Sequence, residues 1–394
     1  MISVAEALQA VTALFEPLNV EHIALRDAVG RVLAEDVAAK RDQPPFAASS
    51  MDGYALRNAE VAANARFTVI GESAAGAGFT GVIKSGQAAR IFTGAPVPEG
   101  ADRVIIQEDI SRDGDVITIN AGFDTEHFIR PAGFDFLAGQ VMHAPKRLTA
   151  QDVALLASMN CPDIPVFRKP LVGIIATGNE LVMPGEDPEQ AQIIASNNFG
   201  LAALFQQFGA EIRMIPIARD TPQSLKMAID LCDGVDLIVT IGGASVGDHD
   251  IVRDVTAEIG MVSSFYKVAM RPGKPLMAGM LGETPLIGLP GNPVSSMVCG
   301  HIFIRPALSK MQGLGDAALP RELAQLGADL PQNGPREHYM RAQIGVEYSR
   351  LTVHPFARQD SALLSVLARA NGFLVCPPNS DAKRAGDLVE VIRF

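Results

Sequence analysis

Hydrophobic residues at helical spacing open the chain and then give way to short apolar strands. They recur at intervals of three or four positions, at Val4, Leu8, Val11 and Leu14, which predicts a helix. Ser3 and Glu6 have the spacing of a capping box at its start. From residue 44 to about residue 130, short β-rich runs are separated by Gly and Pro. This pattern predicts a small β domain inserted into a helical one.

From residue 169 the pattern is that of strands alternating with helices. Continuous apolar runs predict strands at 171–175, 211–217, 235–241 and 262–268. Helices are predicted at 198–208, 250–259 and 293–311, and Thr221 with Pro222 marks the start of another. Such alternation predicts a parallel sheet covered on both faces. After about residue 320 the β-type pattern returns, interrupted by a short helix near 361–370.

These patterns predict a multidomain α/β protein built around a central, doubly wound parallel sheet. We place that sheet in an α/β domain at residues 169–315 and a β-rich inserted domain at 44–130. A helical N-terminal domain comprises residues 1–43 and 131–168, and a C-terminal β domain comprises 316–394.

Charge and composition argue against several classes of protein. Lys and Arg number 33 and Asp and Glu number 44, a net charge of −11. Nucleic acid is therefore a poor partner, and any anionic ligand needs a local basic site. Neither a secretory signal nor an apolar run of about 18 residues is present, so we expect a cytoplasmic protein with no membrane partner. The spacing of the cysteines fits no zinc or redox motif, and we expect reduced, buried thiols at Cys161, Cys232, Cys299 and Cys376.

Two short motifs resemble catalytic or cofactor signatures without their required surroundings. The GxGxxG at 76–81 lies in the β-rich region and lacks the βαβ unit of a dinucleotide site. The GxSxG at 243–247 follows a strand, but Asp248 and His249 prolong the loop where a nucleophile elbow needs a helix. We interpret both as loops.

Three polar, glycine-rich loops follow predicted strands of the central domain: Thr177-Gly-Asn-Glu180, Arg219-Asp-Thr221 and Gly242-Gly-Ala-Ser-Val-Gly-Asp-His-Asp250. The carboxyl ends of parallel strands form one rim, where ligands bind. Glycines allow backbone N–H groups to approach a phosphate, and we expect Glu180, Asp220 and Asp250 to hold Mg²⁺ beside it. In the alternative reading, the two aspartates only cap helices and Glu180 is a solvated loop residue.

A fourth loop, Met270-Arg-Pro-Gly-Lys-Pro275, holds two cations in a turn stiffened by Pro and Gly. Arg271 and Lys274 suit an oxyanion pocket, although an exposed basic turn would have the same composition. The segment Gly288-Leu-Pro-Gly-Asn-Pro293 then leads into the long helix as a rigid loop. Ordinary strand-to-helix turn chemistry is the alternative explanation for that segment.

Seven motifs in order resemble the MoeA/gephyrin E-domain family, and together they span most of the chain. They are Ser49-Ser-Met-Asp-Gly-Tyr54, Ile91-Phe-Thr-Gly-Ala95, Arg130-Pro-Ala-Gly-Phe-Asp135, Thr177-Gly-Asn-Glu180, Gly242-Gly-Ala-Ser-Val-Gly-Asp248, Arg271-Pro-Gly-Lys-Pro275 and Gly288-Leu-Pro-Gly-Asn-Pro293. The central domain alone also resembles MogA adenylyltransferases and CinA-type proteins, but the N-terminal motifs distinguish the chain from both.

The resemblance implies specific roles for these residues. Catalytic roles fall to Asp52, Thr93, Asp135, Glu180, Asp220 and Asp250. Pterin and phosphate binding falls to Thr177, Gly178, Gly242, Gly243, Ser245, Gly247, Asp248, Pro290, Gly291, Asn292 and Pro293. Molybdate binding falls to Arg271, Lys274 and Ser365. Two departures from the family pattern are Arg271, where Lys is common, and Ala244, where Val is common.

The implied reaction inserts molybdate into adenylyl-molybdopterin, with Mg²⁺, and releases AMP. The resemblance also implies a homodimer, in which Asp52, Thr93 and Asp135 approach the cleft of the partner subunit, and transient contact with the molybdopterin adenylyltransferase. A non-catalytic scaffold is the alternative from another class, but the intact set of acidic residues argues against it. The sequence does not distinguish molybdate from tungstate as the oxyanion.

Overall fold

The computed structural model describes residues 1–243, 251–315 and 318–394, and the chain divides into two compact units. The first unit comprises Met1–Glu21, Gly30–Ala34 and Val166–Phe394. The second comprises His22–Val29 and Glu35–Pro165. The four-domain division at finer boundaries stays a prediction.

A six-stranded mixed sheet forms the centre of the first unit. Its strands lie in the order Glu211–Met214, Leu171–Ala176, Leu237–Ile241, Thr284–Leu289, Met277–Leu281 and Val262–Tyr266. The first four are mutually parallel, although Thr284–Leu289 was not predicted as a strand. The last two are antiparallel, so the expectation that the strand predicted at 262–268 is parallel was wrong. One of them was not predicted, because Met277–Leu281 is a short apolar run joined by a tight turn to the next strand.

Helices cover both faces of this sheet, which confirms the doubly wound arrangement. They are Asn197–Gln207, Pro222–Asp230, Ile251–Glu258, Pro293–Cys299 and Arg305–Met311, the last two joined by a π-helical turn at Gly300–Ile304. The long helix predicted at 293–311 is therefore continuous. The Thr221 hydroxyl oxygen accepts a hydrogen bond from the N–H of Ser224, and Pro222 is the first helical residue, as predicted.

The N-terminal helix Val4–Thr12 belongs to the same unit as the central sheet. Ser3 and Glu6 form the predicted capping box. Val4 and Val11 are buried in the core that covers one face of the sheet. Just before the helix, the N–H of Ile2 donates to the carbonyl of Lys267 at 3.2 Å, and the N–H of Ala269 donates to the carbonyl of Ile2 at 2.7 Å.

Five strands of the C-terminal region close into a barrel. They are Glu322–Leu326, Glu337–Glu347, Arg350–Pro355, Gly372–Cys376 and Leu388–Arg393. Pairing between the second and fourth of these strands completes the closure. The two-residue strand Met270–Arg271 pairs in parallel with Glu337 and His338, so the loop that carries the predicted molybdate-binding cations is attached to the barrel. A short helix at Leu364–Leu367 confirms the helix predicted near 361–370.

The second unit is built on another six-stranded sheet. Its strands lie in the order Arg103–Ile106, Gly53–Leu56, Gln87–Ile91, Arg66–Ser73, Val116–Ile119 and Ile110–Asp113. Its core includes Tyr54, Phe67, Ile105 and Ile117. The GxGxxG segment at 76–81 contains no helix and lies between two strands of this sheet, which confirms that it is a loop.

The remaining elements are short. The helix Ala150–Ser158 begins at a capping box of Thr149 and Asp152. The other strands are Val20–Ala24, Val32–Leu33, Val37–Ala38, Ala48–Ser49, Ile129–Arg130, Val141–Met142, Lys146–Arg147, Asp163–Phe167, Leu181–Val182 and Ile193–Ile194, with 3₁₀ turns at Leu25–Asp27, Asn58–Glu60 and Gln107–Asp109. Residues 1–43 and 131–168 thus contain two α-helices and many short strands.

The four cysteines are free thiols; Cys161, Cys232 and Cys299 are buried, and Cys376 is partly exposed. None of the helices in the described ranges is long and apolar enough to span a lipid bilayer.

Candidate functional site

Two loops leave the central sheet at the point where the strand connections change direction. From Leu171–Ala176 the chain passes to a strand on one side of the sheet, and it then returns to Leu237–Ile241 on the other side. In an open α/β sheet, this reversal leaves a crevice at the carboxyl ends of the two strands. Thr177 directly follows the first strand and donates its N–H to the carbonyl of Ile241 at 2.9 Å. Gly242 directly follows the second.

Backbone atoms from three loops approach one another around Gly242. A Cβ atom at Gly242 would lie 2.9 Å from the carbonyl oxygen of Thr177. A Cβ atom at Gly291 would lie 3.3 Å from the Cα of Gly242. The φ of Gly242 is 87°, a conformation that other residues rarely adopt. Glycine is therefore required here for the loops to meet.

The converging loops enclose a cavity of about 1060 Å³. Its lining includes ten of the predicted site residues: Thr177, Gly178, Glu180, Asp220, Gly242, Gly243, Pro290, Gly291, Asn292 and Pro293. The size is sufficient for a ligand larger than a single nucleoside phosphate. The predictions for Ser245, Gly247, Asp248 and Asp250, and for the GxSxG motif, concern residues outside the described ranges.

Two carboxylates of the predicted metal set lie on this cavity. The N–H of Asn179 donates to Oδ2 of Asp220, and the N–H of Asp220 donates to Oδ1 of Asn179, each at 3.1 Å. The Glu180 carboxylate folds over Gly178, where a Cβ atom would lie 2.3 Å from its Oε2. Within the described ranges, neither Oδ1 of Asp220 nor the Glu180 carboxylate has a hydrogen-bond partner. Hard oxygen donors of this kind suit Mg²⁺, although the same ranges contain no complete cluster of three metal ligands.

Sequence reasoning missed several residues that line the cavity. Asn197 donates from Nδ2 to the carbonyl of Gly291 at 2.6 Å, which ties the start of a helix to the Gly288–Pro293 loop. Asn198, the next residue, also lines the cavity and is only 2% exposed. Asp254 and Glu258 reach the cavity from the helix Ile251–Glu258. The four-residue spacing of these two acids was visible in the sequence, but nothing there showed which way that helix face points.

A group of basic residues lies where the 270–275 loop meets the barrel. Arg341 is completely buried, and its Nη2 donates to the carbonyl of Asp360 at 3.0 Å. Its Nε and Nη1 have no partner in the described part of the chain. Gln359 holds the Arg341 backbone through hydrogen bonds of 3.0 and 2.9 Å. A buried guanidinium with unused donors is expected to attract an anion.

Burial and mutual repulsion shift the pKa values of this basic group. Burial, followed by the charge of Arg271, lowers the pKa of His338 to about 4, so this imidazole is neutral near pH 7. Burial also lowers the pKa of Arg341, and the nearby Arg271 lowers it further, while Asp360 acts in the opposite direction. Arg271 itself is exposed. Arg341 was not predicted from the sequence, because it is one of several polar residues within the strand Glu337–Glu347.

The 270–275 loop connects this basic group to the cavity. Its last residue, Pro275, lines the cavity, as does Ala362. The loop packs tightly at Gly273, where φ is 113° and a Cβ atom would lie 2.7 Å from Sγ of Cys299. Lys274 is half-buried. Ser365 is exposed on its short helix, and no hydrogen bond joins it to either predicted cation within the described ranges.

The three predicted N-terminal residues lie in the second unit. Oδ1 of Asp52 accepts hydrogen bonds from Thr93, and these bonds, the backbone one foremost, lower the pKa of Asp52. Asp135 lines a separate cavity of about 810 Å³, together with Arg41, Arg130 and Gly94. Thr93 is the residue before Gly94, so the predicted residues of this unit lie close to the same surface.

Comparison with known proteins identifies the family. Residues 2–160 match a family model described as "MoeA N-terminal region (domain I and II)". Residues 173–310 match a "probable molybdopterin binding domain", and residues 324–394 match the "MoeA C-terminal region (domain IV)". The molybdopterin molybdenumtransferase of Haemophilus influenzae is 32% identical over 383 residues, covering 96% of this chain and 95% of that protein. The chain belongs to the MoeA family.

Further MoeA relatives agree in sequence and in fold. The molybdopterin molybdenumtransferase of a Nostoc species is 34% identical and covers 95% of this chain and 89% of that protein. The crystal structure of the MoeA protein from Pyrococcus horikoshii matches with a TM-score of 0.84 at 28% identity, and each chain is covered completely. The family and fold expected from the seven motifs are therefore confirmed.

Proposed function

We propose that this chain is a molybdopterin molybdenumtransferase, which inserts molybdate into adenylyl-molybdopterin and releases AMP. The observation that carries the proposal is one continuous arrangement. A crevice of about 1060 Å³ at the carboxyl ends of the strands carries two carboxylates, and the 270–275 loop runs from its rim to a buried arginine of the barrel. Relatives named molybdopterin molybdenumtransferase cover nearly the whole chain.

The crevice suits the phosphate groups of such a substrate. Gly178, Gly242 and Gly291 lack side chains, so a phosphate can approach the loop backbone at the carboxyl ends of the strands. The N–H groups of Gly178 and Gly242 already donate to backbone carbonyls, so we assign the N–H donors for phosphate oxygens to the loop around Gly291. A chain with a net charge of −11 repels anions over its surface as a whole. Local donors in the crevice therefore favour binding there over other parts of the surface.

We propose that Glu180 and Asp220 hold Mg²⁺ beside these phosphates. Both carboxylates line the cavity and have oxygen atoms without a hydrogen-bond partner in the described ranges. Asp250, the third predicted ligand, is outside those ranges. When bound, Mg²⁺ would screen the phosphate charge during cleavage of the anhydride.

We assign molybdate, a tetrahedral dianion, to the basic loop. Arg271 and Lys274 come from the turn that ends at the cavity, and Arg341 adds buried guanidinium donors from the barrel. Charge-assisted hydrogen bonds to these cations would hold the oxyanion next to the pterin, and proximity supplies much of the rate in such a reaction.

We further propose that the working enzyme is a homodimer. Asp52, Thr93 and Asp135 would serve the cleft of the partner subunit, and the adenylyltransferase would supply the substrate by transient contact. This proposal rests on the family resemblance alone.

The test is AMP release from adenylyl-molybdopterin by the purified chain, with and without molybdate. We expect release that depends on molybdate, is abolished by chelation of divalent cations and is restored by Mg²⁺. Asp220→Asn should lose most of the rate, whereas Asp187→Asn, an exposed acid outside the cavity, should keep it. Release at the same rate without molybdate would contradict a transferase.

A further inference from the structure

The guanidinium of Arg90 lies in the second unit, next to the turn that carries Asp52. Arg90 is opposite Tyr54 where the strands Gly53–Leu56 and Gln87–Ile91 pair. Its guanidinium carbon is 5.2 Å from the centre of the Tyr54 ring and 4.8 Å from the centre of the Phe92 ring. Cation–π contacts with two rings restrict this long side chain to one position.

Two hydrogen bonds connect this guanidinium to the strand ends on either side of the turn. Nη1 of Arg90 donates to the carbonyl of Gly53 at 3.1 Å, and Nη2 donates to Oε1 of Gln107 at 2.6 Å. The N–H of Gln107 in turn donates to the carbonyl of Asp52 at 3.0 Å. The planar fork of an arginine can make both bonds at once, which the single ammonium of a lysine does less well. Arg90 therefore helps to hold the backbone of Asp52.

A third strand end holds the carboxylate itself. Thr93, three residues after Arg90, donates its N–H and its hydroxyl to Oδ1 of Asp52. The strands are packed tightly here, because a Cβ atom at Gly53 would collide with the carbonyl oxygen of Ile105. Asp52 thus lies where three strand ends meet. Arg90 belongs to one of them and bonds to the other two.

The charge of Arg90 also acts on this carboxylate. The hydrogen bonds from Thr93 lower the pKa of Asp52 most, burial opposes them, and the positive charge of Arg90 lowers it further. Two acids are close to the same group of residues. Glu72 is opposite Arg90 on the parallel strand Arg66–Ser73, and Glu108 accepts a hydrogen bond from the side-chain amide of the preceding glutamine. Their negative charge opposes the effect of Arg90 on Asp52.

We propose that Arg90 is a positioning residue for Asp52: it fixes the turn and the strand ends that hold this carboxylate, and so keeps it in the orientation that the proposed reaction uses. This inference rests on the proposed function, which gives Asp52 its role. Arg103 shows what a purely structural arginine looks like in the same sheet. It lies over the Phe123 ring and donates to the carbonyl of Asp124, but it pairs with Leu56, at the far end of the strand that begins at Gly53.

The first test follows the Asp52 carboxylate by ¹³C NMR in the full chain, labelled at the aspartate carboxyl carbons and assigned with Asp52→Asn. Arg90→Gln should raise the pKa of Asp52, because it removes the cation and loosens the contact with Thr93. Arg90→Lys keeps the charge and should raise it less, and it gives the same comparison if Arg90→Gln does not fold. Arg103→Lys is the matched control and should leave the pKa unchanged. If Asp52 titrates at the wild-type pH in both Arg90 variants, the proposal is wrong.

The second test measures the rate of AMP release in single turnovers for Arg90→Gln, for Asp52→Asn and for the double variant. In the wild-type background, Arg90→Gln should lower the rate about tenfold or more. In the Asp52→Asn background, it should lower the rate less than about twofold, because Arg90 acts through Asp52. Equal losses in the two backgrounds would overturn the proposal. A wild-type chain that releases no AMP would contradict the proposed function, and the NMR titration alone would then decide whether Arg90 positions Asp52.

Discussion

Thr93 directs two donors at a single oxygen atom of Asp52: its backbone N–H and its hydroxyl each lie 2.8 Å from Oδ1. Both hydrogen bonds favour the ionised carboxylate, and the pKa of Asp52 is lowered as a result. The pair therefore presents an anion in a fixed orientation at neutral pH, and Thr93 is the residue that maintains it.

Thr93→Val should raise the pKa of Asp52, because it removes the hydroxyl donor and keeps the N–H. If the ionised carboxylate serves the reaction, the acidic limb of the pH–rate profile for AMP release should move to higher pH. Ser111→Ala removes a surface hydroxyl in the same unit, one that bonds to Asn120, and should leave the profile in place. If the acidic limb of the pH–rate profile does not move in Thr93→Val, the ionisation of Asp52 does not control the rate-limiting step.

Mixed dimers test the proposed shared cleft. Asp52→Ala and Asp220→Ala chains should each be nearly inactive alone, and mixing them should restore part of the AMP release. Recovery is expected because one cleft of each mixed dimer would regain both carboxylates. Subunit exchange must be verified by mass, and mixing two Asp220→Ala chains that carry different tags serves as the control. Verified exchange without recovery would exclude a composite cleft.

Lys274→Ala should weaken molybdate binding and leave pterin binding nearly unchanged. A charge-assisted hydrogen bond contributes about 1.5–3 kcal/mol, so molybdate affinity should fall roughly ten- to a hundredfold. Separate titrations of molybdate and adenylyl-molybdopterin on the same variant measure both effects. Lys383→Ala, an exposed lysine of the barrel, is the control. If pterin affinity is lost and the molybdate response is unchanged, this loop binds the phosphate group of the pterin substrate and not molybdate.

Gly273→Ala should displace the basic loop and destabilise the first unit. Its Cβ atom would lie 2.7 Å from Sγ of Cys299, at a φ of 113°. We expect a loss of roughly 1–3 kcal/mol in urea unfolding, together with weaker oxyanion binding. Gly282→Ala separates the two causes, since Gly282 also has a positive φ but has open space around it. If both variants lose the same free energy of unfolding, the steric contact with Cys299 does not cause the destabilisation.

His301 should make stability depend on pH in mildly acidic solution. It stacks on Phe394 at 4.5 Å, and burial lowers its pKa from 6.5 to about 4. Between those values the unfolded state binds more protons, so stability should fall as pH falls from about 6.5 to about 4, by at most roughly 3 kcal/mol.

His301→Phe should reduce the slope of that dependence, measured as the free energy of unfolding across the same pH range; the remaining slope is expected from His338, whose pKa is also lowered to about 4. His354→Phe is the control, because His354 is exposed and pairs with Glu347. A curve that keeps its slope in His301→Phe would assign the pH dependence to other groups.

The sequence predicted the features of this fold that depend on local pattern. Periodicity located the main strands and helices of the central domain, and the capping residues Ser3 and Thr221 marked helix starts that the structure confirms. The rule that ligands bind at the carboxyl ends of parallel strands then located the cavity from its loops alone. Glycine and proline spacing carried most of that information.

The residues that sequence reasoning missed depend on contacts between distant segments. Arg341 was not recognised from the sequence as a site residue, because an arginine inside a strand usually reaches solvent. In the structure, Asp360 and the 270–275 loop enclose it. Asn198 was not recognised from the sequence as a cavity-lining residue, because asparagine is common in the first turn of a helix. The strands Met277–Leu281 and Thr284–Leu289 were missed because each is a short apolar run next to a tight turn. The strand predicted at 262–268 was wrongly assigned to a parallel sheet, because nothing in a short apolar run specifies its direction.

The N-terminal helix has a consequence for the order in which the chain is made. Val4 and Val11 belong to the same core as Phe303 and Leu308, and Ile2 pairs with Val268. On the ribosome, this helix emerges before the segments on which it packs, and most of its native contacts do not exist until the second half of the chain has been translated. Its apolar face must stay unpaired or be shielded in the meantime. The nascent chain therefore has to protect this helix until the later segments arrive.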